Sequence, residues 1–86
     1  MSDWQIVIQR LARRYLEKLT LANRERIIND LTILQTNPES LDFKPLKGRS
    51  DWRLRVGDYR VLVRVDRENK VFVVTRIGSR GDIYEK

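Results

Sequence analysis

Apolar and polar residues alternate strictly along Trp4-Gln5-Ile6-Val7-Ile8-Gln9, a period of two that predicts a strand with Trp4, Ile6 and Ile8 inward. From Arg10 the period lengthens to that of a helix. Leu11, Tyr15 and Leu19 share one face, with Ala12 and Leu16 beside them. Thr20 is placed to break that helix and cap a second one, which runs to about Gln35 with Ile27, Ile28, Leu31 and Leu34 as its buried stripe. Asn37-Pro38 stops it, because the residue before proline is driven out of the helical region. Glu39 to Asp51 reads as a loop punctuated by Pro45 and Gly48. The period of two then returns in Trp52–Val56, Tyr59–Asp66 and Val71–Ile77. The expected fold is therefore α+β, a single domain over residues 1–86: strand, helix, helix, then an antiparallel three-strand meander. Two amphipathic helices can cover only one face of such a sheet.

What the other face carries is set by the hairpin WRLRVGDYR, Trp52 to Arg60. Gly57-Asp58 suits a two-residue turn with glycine at the first central position. That turn pairs Val56 with Tyr59, Arg55 with Arg60, Leu54 with Val61 and Arg53 with Leu62. The apolar residues then share the covered face, and Arg55 stands directly opposite Arg60 on the other. Like charges opposed across strands cost stability, so an anion is the natural counterpart of this row. The bland alternative is a solvated face. After Asp66, Arg67-Glu68-Asn69 suits a three-residue loop with Asn69 in the left-handed position. In that register Arg60 faces Arg76, which lengthens the basic row.

Charge follows the same division. Residues 1–43 hold six Lys/Arg and six Asp/Glu; residues 44–86 hold twelve and six, so the net charge of +6 lies wholly in the second half. Most of those twelve are arginine, which suits bidentate phosphate contacts. A nucleic acid or an acidic protein partner fits this half, as does a merely basic surface. No apolar run approaches the roughly 18 residues of a membrane span, and the N-terminus lacks the layout of a signal peptide. The absence of cysteine permits a cytoplasmic location, the one expected here.

The chain contains no histidine and no cysteine. The usual proton-transfer residue is missing, and no His/Cys metal site can form. No cofactor is expected. Arginine and tyrosine remain. Clustered guanidinium groups stabilise charge on a phosphoryl group in flight, and they lower the pKa of a nearby tyrosine by favouring its phenolate. Arg53, Arg55 and Arg60 share a face, and Arg80 and Tyr84 lie in a tail able to fold over it. From spacing alone, Tyr84 reads as an aromatic packing its ring on the sheet edge. Trp4, Trp52 and Tyr59 fall on the apolar side and read as core or core edge. Lys44, Lys47 and Arg49 flank a loop and offer generic phosphate contacts.

Three segments resemble the RelE side of the RelE/ParE toxin superfamily: PLKG (Pro45–Gly48), WRLRVGDYRVLVRVD (Trp52–Asp66) and RIGSRGDIYEK (Arg76–Lys86). The order of elements is similar as well, so the resemblance spans essentially the whole chain. It implies a toxin of a type II toxin–antitoxin system, a small endoribonuclease that cuts messenger RNA in the ribosomal A site. Its implied partners are a cognate antitoxin, the ribosome and mRNA, with operator DNA met only as a toxin–antitoxin complex. Position by position, the two basic residues of the family's second strand fall on Arg53 and Arg55, and the hairpin arginine on Arg60. The arginine after IG-x falls on Arg80 and the C-terminal tyrosine on Tyr84. On this reading Arg60, Arg80 and Tyr84 are catalytic, while Arg53, Arg55, Arg76, Lys44 and Lys47 hold RNA.

Two departures qualify the match. The best-studied RelE pattern has lysines where this chain has Arg53 and Arg55. An arginine is not deprotonated in a protein, so neither can act as general base, and proton abstraction is assigned to Tyr84. Many relatives also read IGHR where this chain has Ser79. The rival readings are a ParE-like inhibitor of DNA gyrase, and an inactive homologue acting through antitoxin binding and operon repression.

Overall fold

The computed structural model describes residues 3–48 and 50–79. Strand β1 (Gln5–Ile8) leads into helices α1 (Arg10–Lys18) and α2 (Leu21–Thr36), and a single 3₁₀ turn (Pro38–Ser40) follows. Strands β2 (Phe43–Pro45), β3 (Asp51–Val56), β4 (Tyr59–Asp66) and β5 (Val71–Ser79) complete one sheet in the order β1-β5-β4-β3-β2. β1 runs parallel to β5, and every other pairing is antiparallel.

The helices begin and end for local reasons. α1 carries Lys18 in its last turn, where a cation suits the helix dipole. Its last carbonyls are satisfied from α2: the Arg24 guanidinium donates through Nε to Leu16 O at 3.1 Å and through Nη2 to Leu19 O at 3.2 Å. Thr20 caps α2 as expected, its hydroxyl oxygen accepting from Asn23 N at 3.3 Å. Asn37-Pro38 closes the helix, and Pro38 opens the 3₁₀ turn.

Ala12 and Leu16 of α1 and Ile27, Leu31 and Leu34 of α2 pack on Leu54, Val56, Val61, Val63, Phe72, Val74 and Ile77 of the sheet. Each Val, Leu, Ile or Phe side chain so enclosed contributes about 1.5–3 kcal/mol from burial. Two expected members stand outside. Leu11 is 70% exposed and Ile28 39% exposed, since the sheet takes only the narrow stripe centred on the i, i+4 neighbours. Trp4 and Trp52 sit at the core edge, stacked on Phe72 at 4.5 Å and on Phe43 at 4.7 Å.

The β3–β4 register is the expected one, with Val56 opposite Tyr59, Arg55 opposite Arg60, Leu54 opposite Val61 and Arg53 opposite Leu62. Gly57 takes φ +58°, the left-handed value that the turn demands at its first central position. Three expectations fail. Glu39 to Asp51 is not all loop, because Phe43–Pro45 pairs with β3 as a short edge strand. Pro45 is tolerated there because an edge position need not donate. The β4–β5 loop has four residues rather than three. Asp66 accepts from Asn69 N at 3.1 Å and Asn69 Nδ2 at 2.9 Å, and the left-handed residue is Lys70, at φ +55°. A bulge between Leu62 and Val63 shifts the register once more, so Arg60 faces Gly78 and Arg76 faces Leu62. Thr75, the extra residue at that bulge, donates its hydroxyl to Leu62 O at 3.3 Å.

Candidate functional site

Alternation along β3, β4 and β5 puts Leu54, Val56, Val61 and Ile77 under the helices. It therefore turns Arg53, Arg55, Arg60 and Arg76 to the opposite face. Lys44 joins them, directly opposite Arg53. Arg76 does not face Arg60 but stands one diagonal away from it, still within reach of a long side chain. Apolar residues also lie on this face: Leu62, covered by Leu46, and the pair Val7 and Val73. Lys47 follows Leu46 in an exposed turn. Arg64 also lies on this face, exposed and opposite Asp51, a cross-strand pair of opposite charge.

The arginines are not equivalent. Asp42, just before β2, places Oδ1 2.9 Å from Arg53 Nη2 and Oδ2 3.8 Å from Arg55 Nη1. Its main-chain oxygen also accepts from Arg55 N at 3.0 Å. The Arg53 side chain is only 14% exposed, against 46% for Arg55. Arg53 is thus a buttress whose charge is largely met by Asp42, while Arg55 remains available to a ligand. Asp42 was not legible as a site residue, because only the pairing of β2 with β3 brings it beside arginines that follow it by more than ten positions.

Arg55 and Arg60 meet at a cleft of about 180 Å³ lined with Gly57, Asp58 and Tyr59. Tyr59 is half-buried and meets the ring of Tyr15 edge-on at 6.4 Å, which fixes one wall. The residues that line it carry two guanidinium groups, a phenol and the Asp58 carboxylate. Among the described residues no cluster of three or more His, Cys, Asp or Glu could hold a metal ion. Arg80 and Tyr84, the two site residues expected from the tail, lie outside the described residues, as does Arg49.

A second, larger hollow of about 460 Å³ opens at the other end of β3 and β4, on the helix side. Trp4, Phe43, Trp52 and Phe72 line it, and Arg67 stands at its rim. It shares no residue with the arginine cleft. Among the described residues no helix is long and apolar enough to cross a membrane.

No curated protein is similar in sequence. Among solved structures, a chain of the archaeal RelE–RelB complex from Pyrococcus horikoshii is similar at 28% identity and a TM-score of 0.80, covering 96% of this chain and 100% of that one. A chain of the RelB–RelE antitoxin–toxin complex from Methanococcus jannaschii has 25% identity and a TM-score of 0.75, covering 92% and 95%. A chain of the toxin–antitoxin complex RelBE2 from Mycobacterium tuberculosis has 28% identity and a TM-score of 0.67, covering 90% and 98%. Residues 2–84 match the family described as the ParE toxin of the type II toxin–antitoxin system, parDE. With nearly the whole sequence inside that match and the same fold in the RelE structures, the chain belongs to the RelE/ParE superfamily of toxins from type II toxin–antitoxin systems.

Proposed function

We propose that this toxin is a ribosome-dependent endoribonuclease that cuts messenger RNA in the A site and is neutralised by a cognate antitoxin. The observation that carries the reading is the basic sheet face turned away from the helices. Arg55 and Arg60 stand directly opposite each other across β3 and β4 beside a cleft, two guanidinium groups placed to hold one RNA phosphate between them. Arg60, half-buried beside the cleft, stabilises the charge that develops on the scissile phosphate. Arg55, Arg76, Lys44 and Lys47 hold the flanking backbone, with Arg53 acting through its Asp42 bridge. The tail supplies the rest. Arg80 neutralises the phosphate or the leaving group, and Tyr84, as phenolate, takes the proton of the 2′-OH. The freed 2′-oxygen attacks phosphorus, the bond to the 5′-oxygen breaks as Tyr84 returns the proton to that oxygen, and a 2′,3′-cyclic phosphate is left on the upstream fragment with a 5′-OH on the other. Operator DNA is met only as a complex with the antitoxin. The similar archaeal and mycobacterial chains come from complexes with RelB-type antitoxins, which supports an antitoxin as partner here.

One observation favours a second reading, inhibition of DNA gyrase: the matching family is described as a ParE toxin. Purified protein incubated with programmed ribosomes, with mRNA ends mapped and a gyrase supercoiling assay run in parallel, separates the two. Cleavage should appear in the first assay only. It should fall by roughly 10²–10³ in Arg60→Ala and by roughly 10²–10⁴ in Tyr84→Phe. Inhibited supercoiling with intact mRNA would reject the nuclease. An unchanged rate in Tyr84→Phe would move the general base elsewhere.

A further inference from the structure

The β3–β4 turn has a neighbour that the strands do not supply. A Cβ added to Gly57 would lie 2.7 Å from Arg26 Nη2 and 2.9 Å from both Cζ and Nη1. Three guanidinium atoms at nearly equal distance from one point, each more than two bond lengths away, mean that the planar group is laid face-on over the glycine. Arg26 belongs to α2, one position before the buried Ile27, so this charge comes to the turn from the helix side. Gly57 is also a wall of the cleft that Arg55 and Arg60 line from the opposite side. The turn is therefore straddled by cations.

Face-on packing leaves the N–H donors of the guanidinium unused, because they point outward in its plane. Arg26 is exposed, and among the described residues no carboxylate lies within 4 Å of it. Asp58, in the same turn, makes no ion pair with it. A guanidinium held by its face, with its donors directed to solvent beside two others, is arranged for an anion with several acceptor oxygens.

We infer that Arg26 is a further phosphate-binding residue of the RNA interface, gripping the backbone where it passes over the β3–β4 turn to the helix side, next to the phosphate held by Arg55 and Arg60. The inference rests on the nucleic-acid reading of the sheet face and extends the track beyond that face. Residue 57 has to be glycine for this as well as for its φ, since a side chain there would lift the guanidinium off the turn.

The test is equilibrium binding of the full chain to a fluorescein-labelled single-stranded RNA, 2′-O-methylated so that it cannot be cut, over a range of salt. Arg26→Gln should weaken binding roughly fivefold at low salt and flatten log K against log[salt] by about 0.7, the loss of one phosphate contact. Arg26→Lys, which keeps the charge, should restore most of the slope. Arg67→Gln removes the same charge at the far end of the sheet and should leave both quantities unchanged. Wild-type affinity and slope in Arg26→Gln, with Arg60→Ala weakened, would overturn the inference alone. Equal losses in Arg26→Gln and Arg67→Gln would also overturn it, by reducing the effect to net charge. No salt-dependent binding by the wild type would overturn the nucleic-acid reading and the inference together.

Discussion

Arg55 and Arg60 oppose each other across β3 and β4, and like charges in that relation destabilise a sheet by about 0.2–1 kcal/mol. Arg55 is the more dispensable of the two for folding, since its side chain is half exposed and its bond to Asp42 is long, at 3.8 Å. Arg55→Thr should therefore raise the melting temperature by a few degrees, at roughly 4–8 °C per kcal/mol for a domain of this size, while weakening RNA binding. A thermal melt paired with the RNA titration checks both. A variant that melts lower would show that Arg55 contributes to the fold and that the opposition is already relieved within the protein. Arg53 behaves differently, because its short bridge to Asp42 makes it part of the frame. That difference between neighbouring arginines could not be read from the chain, where the two differ only by alternate positions on one strand. Arg26 was equally hidden: nothing in a helical stripe tells which exposed residue reaches a turn some thirty positions later.

At the scale of elements, legibility followed how local the determinants are. The β3–β4 hairpin was readable to the residue because Gly57-Asp58 sets both turn type and register within two positions. The helices were readable from period and caps. β2 escaped because three residues ending in proline carry no period, and its existence depends on β3. The β4–β5 register escaped because a bulge at Leu62/Val63 leaves no mark in the pattern, and because Asp66 takes Asn69 into its own turn. That turn makes a pH prediction. Bonds from the Asn69 side chain, then from its backbone N–H, hold the Asp66 carboxyl below the ordinary carboxylate value. A depressed folded-state pKa stabilises above the unfolded value of about 3.9 and ceases to do so as pH falls through the folded value. Asn69→Ala removes the larger cause. Its stability deficit against the wild type should be constant near neutrality and shrink below about pH 4. Carboxyl-carbon NMR titration should show Asp66 moving up toward the ordinary range. An unmoved titration in the variant would assign the shift to some other contact.

For the whole molecule, a net charge of +6 concentrated in one half is a standing electrostatic cost. The helices cannot meet it, because their apolar stripes are spent on the opposite face of the sheet. On the function proposed above, what meets it is a partner: RNA in action, the antitoxin at rest. An amphipathic, partly acidic segment laid on the face turned away from the helices would place carboxylates against Arg55, Arg60 and Arg76. Binding only the folded state, antitoxin at 100 times its Kd adds about 2.7 kcal/mol, or roughly 10–20 °C in melting temperature for a domain of this size. The increment should shrink as salt is raised past about 0.15 M, where exposed charges are screened within about 8 Å. Bound toxin should also lose its RNA affinity in proportion to occupancy. Equal melting temperatures with and without saturating antitoxin would refute this account. A salt-independent increment would place the antitoxin on an apolar surface instead, and the 460 Å³ aromatic hollow at the far end of the sheet is the first place to look. Arg67→Glu at its rim would then change the affinity for the antitoxin where Arg55→Thr does not.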